Sequence, residues 1–144
     1  MDKTHLECRE CKKEYESTFK YICDECFGPL DVHYNFPKVT KEIFHNREKT
    51  YWRYHELLPI HDKKNIVSID AGMTPLVKAE KLGDELGLSN LYIKNDSVNP
   101  TFSFKDRPAG VAISKAKEFG LQSVGCASTG NLASATAAHA AKAN

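Results

Sequence analysis

Three groups of residues in this chain have the types and spacing that chemistry needs. Cys8-x-x-Cys11 and Cys23-x-x-Cys26, eleven residues apart, are two pairs that can each hold one metal ion at adjacent tetrahedral corners. The spacing suits a four-cysteine zinc ribbon. Two disulfides or free thiols are the competing readings, and nothing in the sequence places the chain in an oxidising compartment. Four thiolates close the tetrahedron and leave no position for water, so zinc held this way is structural. Lys105 stands inside Asn99-Pro100-Thr101-Phe102-Ser103-Phe104-Lys105-Asp106-Arg107-Pro108, at the expected start of a helix. An amine partly desolvated there has a lowered pKa and can condense with an aldehyde cofactor such as pyridoxal phosphate. An ordinary solvated lysine is the alternative. Ser128-Thr129-Gly130-Asn131 opens an alanine-rich helix. Unpaired amides at a helix start, beside two hydroxyls and a glycine, attract a carboxylate or phosphate. The plainer alternative is a hydroxyl-capped helix.

The elements that position these groups follow from local patterning. Glu14 to Ile22 is rich in β-formers and reads as the hairpin of a ribbon, released by the Gly28-Pro29 turn. A segment of 1–36 is too small to bury a sizeable core, so metal would hold it together. Thr40 is a candidate cap for a short helix through Glu42, Ile43 and Phe44. Tyr51, Tyr54, Leu57 and Leu58 recur at helical spacing before Pro59, and this stripe reads as core packing. His55 and His61 read as surface or satisfied structural histidines.

Ile66 to Ile69 reads as a short strand leading into a loop fixed by Gly72 and Pro75. A helix over 79–86 ends at Gly87, and Asn90 to Lys94 reads as a buried strand. The polar connector 95–103 is long for a strand-to-helix link. Asp106 is expected to cap the next helix, with Pro108 in its first turn and Ala109, Ala112, Ile113, Ala116 and Phe119 on its buried face. Leu121 to Ala127 is expected as another strand, with Cys126 a small buried hydrophobe, before a helix over 132–143. Strand, helix, strand, helix implies a parallel sheet, whose strand ends host ligands. The lysine loop and the anion loop are then expected at one sheet edge.

At 144 residues, 41% hydrophobic and 27% charged, the chain is ordinary globular material. A net charge of +1 suggests neither nucleic acid nor an anionic membrane as partner. The 1–36 segment carries more acids than bases, which argues against a nucleic-acid-binding ribbon. The first residues lack an apolar run, and no stretch approaches the ~20 residues that span a bilayer, so a cytoplasmic location is expected.

In combination these motifs resemble the pyridoxal-phosphate enzymes of the tryptophan synthase β-like class, and within it the threonine synthase family. The lysine motif 99–107 is similar to that family's cofactor-lysine motif and Gly72-x-Thr74-Pro75-Leu76 to its entrance motif. Trp52-Arg53-Tyr54 with Leu57-Leu58-Pro59 resembles its N-terminal segment, and Ser128 to Asn131 its asparagine loop. A zinc-ribbon-like N-terminus occurs in some members. The resemblance implies an α/β fold, a parallel-sheet catalytic domain over 37–144 that is incomplete and preceded by the 1–36 ribbon. It implies that Lys105 bonds pyridoxal phosphate and shuttles protons, and that Asn131 binds the cofactor's phenolic oxygen. Ser128, Thr129 and Gly130 would hold the substrate carboxylate, and Cys8, Cys11, Cys23 and Cys26 a structural zinc. The implied reaction is a carbon–oxygen lyase step converting O-phosphohomoserine and water to threonine and phosphate. Its partner is a small amino-acid substrate, and a homodimer is implied for the full-length enzyme. A cysteate synthase, a threonine dehydratase or a non-catalytic zinc-binding fragment are alternatives. The family's cofactor-phosphate loop has no counterpart in these residues, so the chain alone is expected to be inactive. Phe102 stands where many members have glycine, Leu132 where threonine is frequent and Ala71 where an acid is common.

Overall fold

The computed structural model describes residues 3–144; Met1 and Asp2, which open the expected ribbon segment, lie outside the described residues. Strand β1 (Thr4–Cys8) is the centre of a three-stranded antiparallel sheet, flanked by β2 (Glu14–Glu16) and β3 (Leu30–Tyr34). Leu6 faces Tyr15 on one side and Val32 on the other. Alternation along β1 turns Thr4, Leu6 and Cys8 to the buried face, as the period of two requires. Of the stretch from Glu14 to Ile22 expected as a ribbon hairpin, only Glu14–Glu16 is a strand, and it pairs with β1; Ile22 forms an isolated bridge with Pro29 before the third strand.

The sheet is fastened to the segment that follows. The Lys3 ammonium donates to the His55 carbonyl and, at 2.9 Å, to the Ile60 carbonyl. The buried Thr4 hydroxyl meets His61 Nε2 at 2.8 Å. His55 in turn lies 3.1 Å from the Glu56 carboxylate, and desolvation holds its pKa below the usual value. Both histidines are therefore structural partners. An apolar cavity of about 790 Å³ is bordered by Leu6 and Val32 of the sheet and by Tyr51, Leu58 and Val111.

Helix α1 (Lys41–His45) follows Thr40, whose side chain caps no helix amide. The aromatic stripe forms a 3₁₀ turn over Tyr51–Leu57, kinked at Tyr54. Tyr51 and Trp52 are buried with Ile60 and Ala71, and Leu58, Ile66 and Val111 pack around them. Ala71 is fully enclosed in this cluster, a place where an acid would lose its water.

The α/β portion departs from the expected parallel sheet. Its paired strands, β4 (Leu76–Lys78) and β5 (Tyr92–Lys94), are antiparallel, with α2 (Glu80–Leu86) between them in the chain. Residues 66–69 and 121–127 form no strand. A strand exists only where a neighbour accepts its ladder bonds, and neither segment has one among the described residues. Val67 instead donates its amide to the Ser114 hydroxyl at 2.8 Å. For the same reason β5 is exposed rather than buried, with Tyr92 and Ile93 each 49% accessible.

Helices α3 (Asp106–Glu118) and α4 (Asn131–Ala143) pack against each other. Ala109, Ile113 and Ala116 bury the face expected of α3, whereas Ala112 is exposed and Phe119 half-buried. Cys126 is likewise half-buried. Asp106 is the first helical residue, not the cap: its carboxylate turns back to the loop before it. Among the described residues no helix is long and apolar enough to cross a membrane.

Candidate functional site

The lysine loop is built from a closed set of hydrogen bonds. Asp96 accepts two charge-assisted bonds from Arg107, at 2.7 and 2.9 Å, and a third from the Thr74 hydroxyl at 2.6 Å. The Arg107 guanidinium, helped by that hydroxyl, holds the Asp96 carboxyl down at about 2. Asn99, 2% exposed, accepts from the Gly72 amide at 2.9 Å and donates to the Asp96 carbonyl at 3.0 Å. Lys94 adds a bond to the Thr74 carbonyl. The loop over 70–75 and the connector over 95–99 are therefore one unit, although they are far apart in sequence. Gly72 fits this join because its φ is +86° and a Cβ there would press on Tyr51 at 3.0 Å.

The second half of the loop is fixed from the helix side. The fully buried Asp106 accepts from the Thr101 amide and hydroxyl, both at 2.8 Å. Between these anchors Phe102 takes φ +59° with its ring 80% exposed. Glycine adopts that left-handed conformation freely, whereas a phenylalanine held there carries backbone strain. Ser103 is buried, and its hydroxyl accepts from the Lys105 amide at 3.2 Å.

Lys105 itself sits at the N-cap of α3 in helical conformation, half-buried, with its ammonium over the Phe104 ring at 4.8 Å. Among the described residues this ammonium has no hydrogen bond or ion pair. It is held at its base by a rigid loop and left unneutralised at its tip. That arrangement leaves the amine available for an aldehyde.

The loop 128–130 is more open. Ser128 is half-buried and its hydroxyl accepts from the Gly130 amide at 3.3 Å, while Thr129, Gly130 and Asn131 are exposed. No side chain caps α4, so its first amides remain free to meet an anion. Among the described residues no hydrogen bond or ion pair links Lys105 to Ser128, Thr129, Gly130 or Asn131. The two loops belong to helices that pack together, but the shared sheet edge expected for them is not formed.

The four cysteines are brought together, two of them buried and two exposed, with all four sulfurs within 4.8 Å of one another. Cys8 and Cys26 approach to 3.4 Å and Cys11 and Cys23 to 3.5 Å, across rather than within the sequence pairs. Sulfurs around a tetrahedral ion with bonds of about 2.3 Å lie roughly 3.8 Å apart, so the donor set fits a thiolate-bound zinc. The Tyr15 hydroxyl, 3.0 Å from Cys23, brings that thiol down to about 6. Backbone donors, including the Glu25 amide at 3.4 Å, act in the same direction.

Sequence reasoning missed the Thr74–Asp96–Arg107 network and the burial of His139 against α3. The first carries a signal in retrospect, since Asp96 lies just before the lysine motif and Arg107 closes it. An isolated histidine among alanines carries none.

The profile of the family described as "Pyridoxal-phosphate dependent enzyme" matches residues 67–144. The threonine synthase of Methanocaldococcus jannaschii is 44% identical over 140 residues, which cover 94% of this chain and 34% of the relative. That of Methanosarcina acetivorans is 42% identical over 142 residues, or 96% of this chain and 35% of the relative. The threonine synthase of a Synechocystis species is 45% identical over 91 residues, covering 62% and 24% respectively. The chain thus spans about a third of the length of the first two of these relatives.

Proposed function

Because the chain belongs to the pyridoxal-phosphate dependent enzyme family, we propose that it supplies the lysine-bearing opening part of a threonine synthase, which converts O-phosphohomoserine and water to threonine and phosphate. The carrying observation is the similarity to threonine synthases over 94% and 96% of this chain, extending through the cysteine segment that the family profile does not cover. That extension also favours a threonine synthase over a dehydratase of the same fold.

In this reading Lys105 is the amine that bonds the cofactor. When bound, pyridoxal phosphate supplies an electron sink conjugated to the substrate nitrogen. Lys105 would take and return protons at the substrate's α and β carbons. Asn131 would bond the cofactor's phenolic oxygen, and Ser128, Thr129, Gly130 and the free amides of α4 would hold the substrate carboxylate. Cys8, Cys11, Cys23 and Cys26 hold a structural zinc. Residues 1–36 form the ribbon unit and 37–144 part of the catalytic domain. The whole enzyme is cytoplasmic and homodimeric, takes a small amino-acid substrate, and carries the activity that these 144 residues alone lack.

The test is to mix the chain with pyridoxal phosphate, reduce with borohydride and map the adduct by mass spectrometry, beside a Lys105→Ala control. The expected adduct is concentrated on Lys105. Labelling spread over surface lysines, unchanged in the control, overturns the assignment.

A further inference from the structure

The buried side-chain atoms without a hydrogen bond among the described residues include two that are neighbours. They are the Tyr51 hydroxyl and His139 Nε2. Tyr51 is 8% exposed and His139 fully buried, so neither reaches bulk water. They meet at Gly110 of α3. A Cβ added there would overlap the Tyr51 hydroxyl and lie 2.9 Å from His139 Nε2. The missing side chain is what lets a phenol from the 51–57 turn and an imidazole from α4 approach the same point.

With the imidazole neutral, its other nitrogen decides which of the two atoms accepts. His139 Nδ1 lies 2.9 Å from the Ala135 carbonyl, which is only an acceptor, so Nδ1 carries the proton. Its further neighbour, at 3.9 Å, is a carboxylate oxygen of Asp106, also only an acceptor when ionised. A neutral imidazole protonated at Nδ1 has a lone pair on Nε2. The Tyr51 hydroxyl is a donor with no acceptor. Leaving two such complementary groups buried and unmatched is costly, and pairing them, directly or through one water, removes both penalties.

We propose that Tyr51 and His139 form a buried hydrogen-bonded pair that acts as a positioning device for the Lys105 loop. Tyr51 fixes the ring of His139, whose Nδ1–H bonds the Ala135 carbonyl, and so holds that edge of the ring 3.9 Å from the Asp106 carboxylate. The Asp106 carboxylate clamps the Thr101 amide and hydroxyl, and so sets the turn that carries Phe102 to Lys105. Because His139 belongs to α4, the same contact fixes that helix, and with it Ser128 to Asn131, relative to the lysine. Its consequence for catalysis rests on the assignment of Lys105 as the reactive amine; the pair itself does not.

Ring-nitrogen NMR of the 144-residue chain, isotope-labelled on histidine, tests the pair without cofactor. In the wild type the His139 signals should show a protonated Nδ1 and an unprotonated, hydrogen-bonded Nε2. In Tyr51→Phe the Nε2 shift should move toward that of a free imidazole lone pair. Hydrogen exchange at the Thr101 amide should quicken by about tenfold, while amides of β1 keep their rates. A protonated Nε2 in the wild type, which needs no variant, overturns the proposal, as does an Nε2 shift indifferent to Tyr51→Phe. A moved shift with unchanged Thr101 exchange overturns the positioning role. Failure of Lys105 to capture pyridoxal phosphate in a chain with the expected NMR signature would count against the cofactor assignment and not against the pair.

Discussion

Phe102 holds a left-handed φ with its ring in solvent, so it carries backbone strain with little packing in return. Phe102→Gly should therefore be neutral or stabilising by up to about 1 kcal/mol, whereas Phe102→Val should destabilise by roughly 1–2 kcal/mol, because a β-branched residue tolerates positive φ least. Thermal melting of both variants checks the sign. Asp96 gives a second expectation at this scale. Its pKa falls from 3.8 unfolded to about 2 folded, so its contribution is complete above the unfolded value and disappears as pH falls through about 2. Arg107→Lys removes the two-pronged contact. It should cost about 1 kcal/mol at neutral pH and flatten the decline in melting temperature between about pH 4 and 2. An unchanged acid profile would show that Arg107 does not set the charge state of Asp96.

The strands β1, β2 and β3 span only a few residues each and leave Phe19, Tyr21 and Phe27 exposed, so under the proposed zinc assignment the metal supplies much of this sheet's cohesion. Chelation of a zinc-loaded chain should melt this sheet while leaving the circular dichroism of α3 and α4 largely intact. Lys3 ties β1 to the carbonyls of His55 and Ile60, close to the chain's single tryptophan. The fluorescence of Trp52 should therefore shift with metal loss, and Lys3→Ala should weaken that response. Helix α3 owes its close approach to the 51–57 turn and to α4 to the absence of a side chain at Gly110. Gly110→Ala should cost about 1–3 kcal/mol by overpacking, despite alanine's better helix propensity, as denaturant unfolding would show.

Across the whole molecule, apolar side chains are left in solvent on the β4–α2–β5 portion. Leu76, Val77, Leu82, Leu86, Leu88 and Ile93 are all exposed, and a net charge of +1 offers little repulsion between copies. The chain in isolation should bind an apolar dye and associate at high concentration. Leu82→Lys with Ile93→Lys should reduce both, by fluorescence titration and light scattering.

The sequence by itself determined what depends on neighbours in the chain. The cysteine spacing announced a four-thiol cluster, and the sulfurs do converge. The pattern around Lys105 announced a lysine at a helix start after a structured connector. Glycine and alanine placement marked α2, α3 and α4 to within a residue or two. These features arise from local sterics, hydrogen-bond inventory and helical period. Tertiary structure alone decided the rest, because it depends on partners distant in sequence. Residues 66–69 and 121–127 have strand-like composition yet form no strand, since a ladder needs a neighbour to accept its bonds. Asp106, suited to capping its own helix, instead holds Thr101. Asp96 joins Thr74 and Arg107 in one network, and His139, silent among alanines, meets Tyr51 across a glycine from a third element.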